Sequence, residues 1–170
     1  LIAEILLKRT TRKAAARAYL QFVSRFPTLD ALCTANATEV EEVLRPIGLY
    51  KQRSAQLQEL CLHRDALKRA RSWRDLVKLP GIGEYTAKAI ASVLFGERVV
   101  GVDGNVKRLL TRLFGEFEPA LADGLAHYAD DLRLLQLGLV DLGYRVCRPR
   151  RPRCDACPLK RVCAFSNKGN

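Results

Sequence analysis

The stretch Leu79-Pro-Gly-Ile-Gly-Glu-Tyr-Thr-Ala-Lys-Ala-Ile90 decides the fold, because two glycines flank one apolar residue between two helical patterns. Gly81 and Gly83 can adopt positive φ angles and let a phosphate approach the backbone. The helix that begins at Glu84 adds the positive end of its dipole, so this hairpin can bind a phosphate. The same residues also suit an ordinary helix–loop–helix corner, since short glycine motifs have many false positives. The rest of the chain must separate these two interpretations.

The composition indicates a globular protein with a polyanionic partner. The 170 residues are enough for one good core or two small ones. The net charge is +11 and the pI is about 9.7. Nucleic acid is therefore the first candidate partner, although excess arginine can also serve as a solubilising surface. No apolar run approaches the ~18 residues that a membrane span needs. We expect a monomer without membrane association, in the cytoplasm and associated with the nucleoid.

The apolar patterning predicts an all-α chain. Thr10 and Thr11 can cap a second helix, and Thr38 with Glu41 forms a capping box for a later one. Further helices are predicted up to residue 67, over 84–95, over 106–114 and from about 128 to 142. No alternating strand pattern of convincing length appears, and we interpret the short apolar run at 98–102 as a buried connector.

Two carboxylates are candidates for acid–base chemistry. Glu4 lies within the apolar pattern of the first helix. Facing inward, it would favour its protonated form and serve as a general acid, whereas on the surface it would pair with Lys8 at i+4. Spacing alone does not decide between these alternatives. In the segment Asp103-Gly-Asn105, either Asp103 or Asn105 can be the N-cap of the helix that follows.

Cysteine spacing indicates a metal centre near the end of the chain. The four cysteines of this tail are spaced C-x6-C-x2-C-x5-C: Cys147, Cys154, Cys157 and Cys163. Four thiolates select zinc or an iron–sulfur cluster, and a zinc site with four cysteines usually has two C-x2-C pairs. Because only one such pair is present, the spacing favours a 4Fe-4S cluster. Cys33 and Cys61 stand alone within helical patterns, which suits a reducing compartment better than a disulfide framework.

The loop between the first two cysteines of this tail is strongly basic. It reads Arg148-Pro-Arg-Arg-Pro-Arg153, and its prolines stiffen a segment that presents four arginines. These side chains are well suited to contact phosphates: Arg148, Arg150, Arg151 and Arg153. A solvated basic loop without a partner is the alternative.

Three motifs in this order resemble one known family. The hairpin at 79–90, the segment Val102-Asp-Gly-Asn-Val-Lys-Arg108 and the cysteine tail are similar to those of the helix-hairpin-helix DNA glycosylases with a 4Fe-4S cluster, the endonuclease III and adenine glycosylase group. The resemblance covers nearly the whole chain. It implies a six-helix lobe with the hairpin at 10–112, and a second helical lobe at 1–9 and 113–170 that holds the cluster. It also implies double-stranded DNA as partner, with a damaged or mispaired base flipped out of the duplex.

The resemblance assigns chemical roles to individual residues. Asp103 corresponds to the catalytic aspartate, which stabilises an oxocarbenium-like sugar and activates water. Glu4 resembles in placement the glutamate with which adenine glycosylases protonate the leaving base. Tyr85 stands where bifunctional members carry a lysine that forms a Schiff base, so we expect a monofunctional glycosylase with little or no lyase activity. Lys88, one turn further along, could still give weak strand cleavage.

The resemblance also predicts DNA contacts and a substrate. Arg9 corresponds to the glutamine that fills the space left by the flipped base, and Leu49 resembles the wedge that enters the opposite strand. The predicted DNA contacts are Arg9, Leu49, Gly81, Gly83, Lys88, Asn105 and the four arginines of the basic loop. Because the segment 4–11 is most similar to the mismatch thymine type, we expect removal of thymine or uracil opposite guanine. The alternatives are an adenine glycosylase acting opposite 8-oxoguanine or guanine, and a non-catalytic iron–sulfur DNA-binding module.

Overall fold

The computed structural model describes residues 1–167, which contain helices and turns but no strand. The predicted all-α class is confirmed. Contacts within the chain divide it into Leu1–Thr86, called unit 1 here, and the part that begins at Ala87, called unit 2. The predicted lobes, 10–112 and 1–9 with 113–170, follow a different division and stay a prediction.

Unit 1 is a bundle of short helices around a core of buried aliphatic and aromatic side chains. Phe22, Leu44 and Leu57 are among the fully buried residues of this core, and α4 packs along α5. The helices are α1 (Ile2–Leu7), α2 (Arg12–Arg25), α3 (Leu29–Thr34), α4 (Ala37–Leu44), α5 (Tyr50–Leu62), α6 (Arg64–Arg69), α7 (Trp73–Leu76) and α8 (Glu84–Ile90), the last of which crosses into unit 2.

Side-chain caps fix where four helices of unit 1 begin, namely α2, α3, α4 and α7. The Thr11 side chain accepts a hydrogen bond from the Ala14 N–H and caps α2, as predicted. The capping box predicted at Thr38 is wrong, because Asn36 caps α4 instead. Its side chain accepts from the Glu39 N–H at 2.9 Å, and the Glu39 carboxylate accepts from the Asn36 N–H at 3.2 Å. Asparagine is the stronger N-cap, so α4 begins earlier than the threonine suggests.

Two other predicted helices have different bounds. The long helix predicted up to residue 67 is interrupted at His63, which separates α5 from α6. The helix predicted from about residue 128 is preceded by a helix over Pro119–Tyr128, and the next helix begins after Asp131, whose carboxylate accepts from the Leu134 N–H at 2.8 Å. The apolar pattern missed the start at Pro119, which is marked by proline in the first helical turn.

Cys33 and Cys61 do not stand alone, so that expectation is wrong. They form a disulfide between α3 and α5, with their Cα atoms 5.2 Å apart. Packing of α3 against α5 brings together two residues that are 28 positions apart in sequence. No local spacing signals such a pair.

Unit 2 is built around the contact of two amphipathic helices. Its helices are α9 (Gly104–Phe114), α10 (Pro119–Tyr128), α11 (Leu132–Arg145) and α12 (Ala164–Asn167), preceded by a π-helical segment over Ala91–Phe95. Val106, Leu110 and Leu139 belong to the buried cluster where α9 and α11 meet. A Cβ atom at Gly143 would lie 2.8 Å from the Asn105 carbonyl oxygen, so glycine permits this close approach. No helix among residues 1–167 has both the length and the apolarity to cross a membrane.

The two glycines of the hairpin differ in what they demand, and substitution by alanine should separate them. Gly81 has φ +71° and an added Cβ would lie 2.4 Å from the Gln56 side-chain nitrogen, whereas an added Cβ at Gly83 meets nothing within 4 Å. Gly81→Ala should therefore lower the free energy of unfolding by about 1–3 kcal/mol. Gly83→Ala, the matched control, should leave it unchanged or raise it by up to about 1 kcal/mol. Urea unfolding followed by circular dichroism measures both, and equal losses would contradict the assignment.

Candidate functional site

The hairpin between α7 and α8 presents its glycines on the surface over a buried apolar side chain. Ile82 is only 4% exposed, while Gly81 and Gly83 on either side of it are exposed. The Gly81 carbonyl accepts hydrogen bonds from the Gln56 side-chain amide at 3.0 Å and from the Lys8 ammonium at 3.4 Å. The buried isoleucine anchors the turn and the hydrogen bonds fix its orientation. This arrangement leaves the backbone of the hairpin open to a phosphate.

Three non-glycine residues among 1–167 have positive φ angles: Arg9 at 53°, Leu49 at 52° and Arg151 at 51°. A left-handed conformation costs a residue with a side chain roughly 1–2 kcal/mol, and such outliers are found preferentially at functional sites. All three are predicted DNA contacts. Arg9 and Arg151 are exposed and Leu49 is 40% exposed, so their side chains are available to a ligand.

Arg53 links the two left-handed loops of unit 1, and the sequence analysis missed it. The residue is 4% exposed, yet it lies in the first turn of α5. Its guanidinium donates to the Gly48 carbonyl at 3.0 Å, beside Leu49, and to the Lys8 carbonyl at 2.6 Å, beside Arg9. A basic residue four positions after Leu49 is visible in the sequence, but its distant acceptors are not.

Unit 1 contains two of the three candidate catalytic residues, which lie on its first and last helices. Glu4 is half-buried in the first turn of α1, and Tyr85 is half-buried in the first turn of α8. Both residues have interaction partners within the protein. Glu4 is thus neither fully buried nor fully exposed, and its role as a general acid stays a prediction.

Asp103 is the N-cap of α9, one of the alternatives that the sequence left open. One carboxylate oxygen accepts from the Asn105 N–H at 2.8 Å and from the Val106 N–H at 2.7 Å. The other accepts from the Asn105 side-chain amide at 3.0 Å. Three donors therefore hold this half-buried carboxylate in one orientation at the positive end of the α9 dipole. The Asn105 side chain thus donates a hydrogen bond to this carboxylate, a contact that the sequence did not predict.

A buried amide fixes the chain just before Asp103. The Gln136 side chain on α11 is 2% exposed. It accepts from the Gly101 N–H at 2.7 Å and donates to the Gly101 carbonyl at 3.1 Å, so it binds both backbone groups of one residue. Arg108 continues the network, because it donates to the Asn105 side chain at 3.0 Å and to the Gly143 carbonyl at 2.8 Å. The segment that carries Asp103 is thus held from two helices.

Lys88 lies on α8 with its ammonium group paired inside unit 2. Its Nζ is 3.1 Å from a carboxylate oxygen of Asp123, and only 14% of the lysine side chain is exposed. The second oxygen of Asp123 accepts from the Val100 N–H at 3.0 Å. The ion pair therefore joins α8 to the connector over residues 98–102. The predicted roles of Lys88 in DNA contact and strand cleavage stay predictions.

The four cysteines of the tail are free thiols that line one cavity of unit 2. Arg112, Arg153 and Lys160 line the same cavity, together with apolar side chains. The donors suit a metal centre, since thiol ligands lose their protons when they bind a metal and the three cations would offset that negative charge. Within residues 1–167, however, no three His, Cys, Asp or Glu side chains are grouped as the ligands of a metal ion are. The cavity shows where a centre could be held without showing its identity.

The basic loop is held by an arginine of α9 that the sequence analysis did not single out. Arg112 donates to the Arg148 carbonyl at 2.7 Å and to the Pro149 carbonyl at 3.0 Å. It also stacks over the Phe165 ring at 4.7 Å from the ring centre. The backbone of the loop is thereby anchored, while the four arginines predicted to contact phosphates are all exposed: Arg148, Arg150, Arg151 and Arg153.

Comparison with known proteins gives relatives along nearly the whole chain. A thymine-DNA glycosylase of Aeropyrum pernix is 31% identical over 98% of this chain and 82% of its own length. A thymine/uracil-DNA glycosylase of Methanothermobacter thermautotrophicus is 31% identical over 99% of this chain and 81% of its own. An adenine DNA glycosylase of Mycobacterium tuberculosis is 33% identical over 99% of this chain but only 59% of its own.

Solved structures give the same relationship. A thermostable thymine-DNA glycosylase superposes with a TM-score of 0.85 at 29% identity, covering 98% of this chain and 82% of that one. Endonuclease III in a trapped covalent intermediate with DNA superposes with a TM-score of 0.76 at 25% identity, covering 98% of this chain and 83% of that one.

The family described as HhH-GPD superfamily base excision DNA repair protein matches residues 2–120. With the hairpin, the capped aspartate and this match together, the chain belongs to the HhH-GPD superfamily of base excision DNA repair proteins.

Proposed function

We propose that the protein is a monofunctional DNA glycosylase that removes thymine or uracil paired with guanine and leaves an abasic site. The observation that carries this proposal is the fixed carboxylate of Asp103, held by three donors at the start of α9. DNA is the partner, in keeping with a base excision repair family and an exposed basic loop.

The orientation of Asp103 suits stabilisation of positive charge. Breaking the N-glycosidic bond leaves an oxocarbenium-like sugar, and a carboxylate already oriented by donors needs no reorganisation to stabilise it. Its remaining acceptor capacity can also orient the attacking water. Glu4 is the proposed general acid that protonates the departing base. The base must be flipped out of the duplex for either group to reach it.

The choice of base rests on similarity to the named relatives. The thymine and thymine/uracil relatives are each 31% identical to this chain, and the solved thymine-DNA glycosylase superposes with a TM-score of 0.85. The segment 4–11 supports the same choice, because it is most similar to the mismatch thymine type. An adenine glycosylase is the second candidate, since its identity to this chain is just as high.

A substrate panel tests the proposal. Duplexes that carry T·G, U·G, A·8-oxoguanine or thymine glycol are incubated with the protein and then cleaved with alkali. We expect cleavage of T·G and U·G, and cleavage of the adenine duplex alone would overturn the proposed substrate. Asp103→Asn should slow excision at least about 100-fold while leaving stability nearly unchanged, because asparagine caps helices as well as aspartate does.

Asp131→Asn is the matched control for that substitution. Asp131 is also an N-cap: its carboxylate accepts from the N–H three residues later, of Leu134, at 2.8 Å, as that of Asp103 accepts from the Val106 N–H. This control should retain full activity. If the protein were only a DNA-binding module, the unsubstituted chain would show no excision. Equal effects of the two substitutions would contradict a catalytic role for Asp103.

Absence of lyase activity is proposed from Tyr85, since a phenol cannot form a Schiff base with an opened sugar. Tyr85→Lys should introduce an amine at this position, so borohydride should trap a covalent protein–DNA adduct that the unsubstituted chain does not give. Tyr128→Lys is the control, because Tyr128 is 90% exposed on α10 and has no proposed role. Denaturing gels measure the trapped fraction. Equal trapping by both variants, or by neither, would contradict the placement of Tyr85 at the sugar.

We propose that the cavity lined by the four tail cysteines holds a 4Fe-4S cluster. Cys147, Cys154, Cys157 and Cys163 would ligate the irons, and the group would brace the basic loop that lies between the first two ligands. The purified protein should be brown, with broad visible absorption and four irons per chain. Cys154→Ser should lose this absorption, and Cys33→Ser, which opens the disulfide of unit 1 outside the cavity, should keep it. A colourless protein loaded with zinc would contradict the assignment.

A further inference from the structure

Arg53 is a buried cation whose hydrogen bonds go to uncharged oxygens. Four bonds leave its guanidinium: to the carbonyls of Ile5, Lys8 and Gly48 and to the hydroxyl of Thr10. A buried charge usually has a charged partner, because desolvation is otherwise expensive. Burial lowers the pKa of Arg53, but a guanidinium stays protonated at neutral pH. A position this costly needs a structural or functional reason.

The acceptors explain part of that reason. Ile5 lies in α1 and Lys8 is its C-cap, so their carbonyls belong to the end of a helix, where they lack helical partners and carry the negative end of the dipole. The planar guanidinium has five N–H donors and can serve several such oxygens at once. Arg53, which lies on α5, therefore caps the C-terminal end of α1, although α5 begins more than forty residues later.

The same four bonds join two loops with unusual backbone conformations. Arg9 lies between Lys8 and Thr10, both of which Arg53 contacts, and Leu49 directly follows Gly48. Arg9 and Leu49 are the two non-glycine residues of unit 1 with positive φ angles. The Thr10 hydroxyl adds a direct link between the loops, since it donates to the Ile47 carbonyl at 3.4 Å. Because one side chain binds both loops, it can hold their two unfavourable backbone conformations in a fixed position relative to each other.

We propose that Arg53 is a positioning residue that sets Arg9 and Leu49 together, so that both enter the DNA in one step when the base is flipped. The inference rests on the proposed function, because it assigns these two residues to the space left by the base and to the opposite strand. Arg53 itself lies beneath the loops and touches no DNA. Phosphate contacts elsewhere on the surface do not depend on it.

Base flipping is measured separately from excision. The Asp103→Asn background removes the chemistry, and a duplex with 2-aminopurine beside the mismatched thymine reports unstacking as a rise in fluorescence. Arg53→Lys keeps the charge but loses the planar fork, so it should cut the amplitude or rate of this rise at least about tenfold. Affinity for undamaged duplex should change less than about twofold, because it is dominated by phosphate contacts. Arg69→Lys, at an exposed arginine of α6, should change neither quantity.

A double-mutant cycle distinguishes positioning from a general structural role. If Arg53 acts through the loops, Arg53→Lys should add little further loss in a Leu49→Ala background, whereas independent effects would multiply. Thr10→Val removes one acceptor and the link between the loops while leaving Arg53 in place, and it provides the same test if Arg53→Lys fails to fold.

Three results would each overturn the proposal. The first is normal unstacking by both Arg53→Lys and Thr10→Val, the second is multiplicative losses in the double-mutant cycle, and the third is the absence of a fluorescence rise with Arg53 intact. Failure of the proposed function looks different. Without excision of any base in the substrate panel, an Arg53-dependent fluorescence rise would still support positioning.

Discussion

Hydrogen bonds from arginine side chains to backbone carbonyls hold the functional segments of this protein in place. Arg53 binds carbonyls at the end of α1, and Arg98 binds the Ala126 carbonyl at the end of α10. Arg108 binds one carbonyl in the last turn of α11 and one just after that helix, where Arg112 binds a further one. Carbonyls at helix ends lack internal partners, and a guanidinium satisfies several while opposing the helix dipole. Part of the net charge of +11 therefore serves internal structure. The remaining exposed arginines, including those of the basic loop, are accessible at the surface to a polyanion.

The sequence predicted the features whose signals are local. The caps at Thr11 and Asp103, the hairpin glycines and the all-α class follow from residues within a few positions of one another. It missed partners that are distant in sequence: the Cys33–Cys61 disulfide spans 28 positions, Gln136 and Gly101 lie 35 apart, and Arg53 and Ile5 lie 48 apart. Helical periodicity shows which face of a helix is buried, but it does not show against what.

The candidate site divides in the same way. Glycines at 81 and 83 are equivalent in the motif, yet only Gly81 has positive φ and lies under Gln56. Lys88 looks like a free amine in the sequence, and the structure pairs it with Asp123, 35 positions later. The assignments of Glu4, Tyr85 and Asp103 come from family resemblance, because a catalytic role depends on a substrate that local patterns do not encode. The structure adds the Asn105 side-chain amide as a third donor to the Asp103 carboxylate, which the N-cap prediction did not include.

The acceptors of Arg53 also affect how this part of the protein can evolve. Three of them are backbone carbonyls, which every amino acid supplies. A substitution at the exposed Lys8 therefore replaces a side chain but keeps the oxygen that the guanidinium binds. At Gly48, with φ +70°, and at the buried Ile5, backbone conformation and core packing limit the choice of residue instead. The loop that carries Arg9 can thus change in sequence at Lys8 while Arg53 keeps its backbone in place. Such a division between a donor side chain and a backbone acceptor would let a repair scaffold vary a loop residue without changing the backbone of the loop.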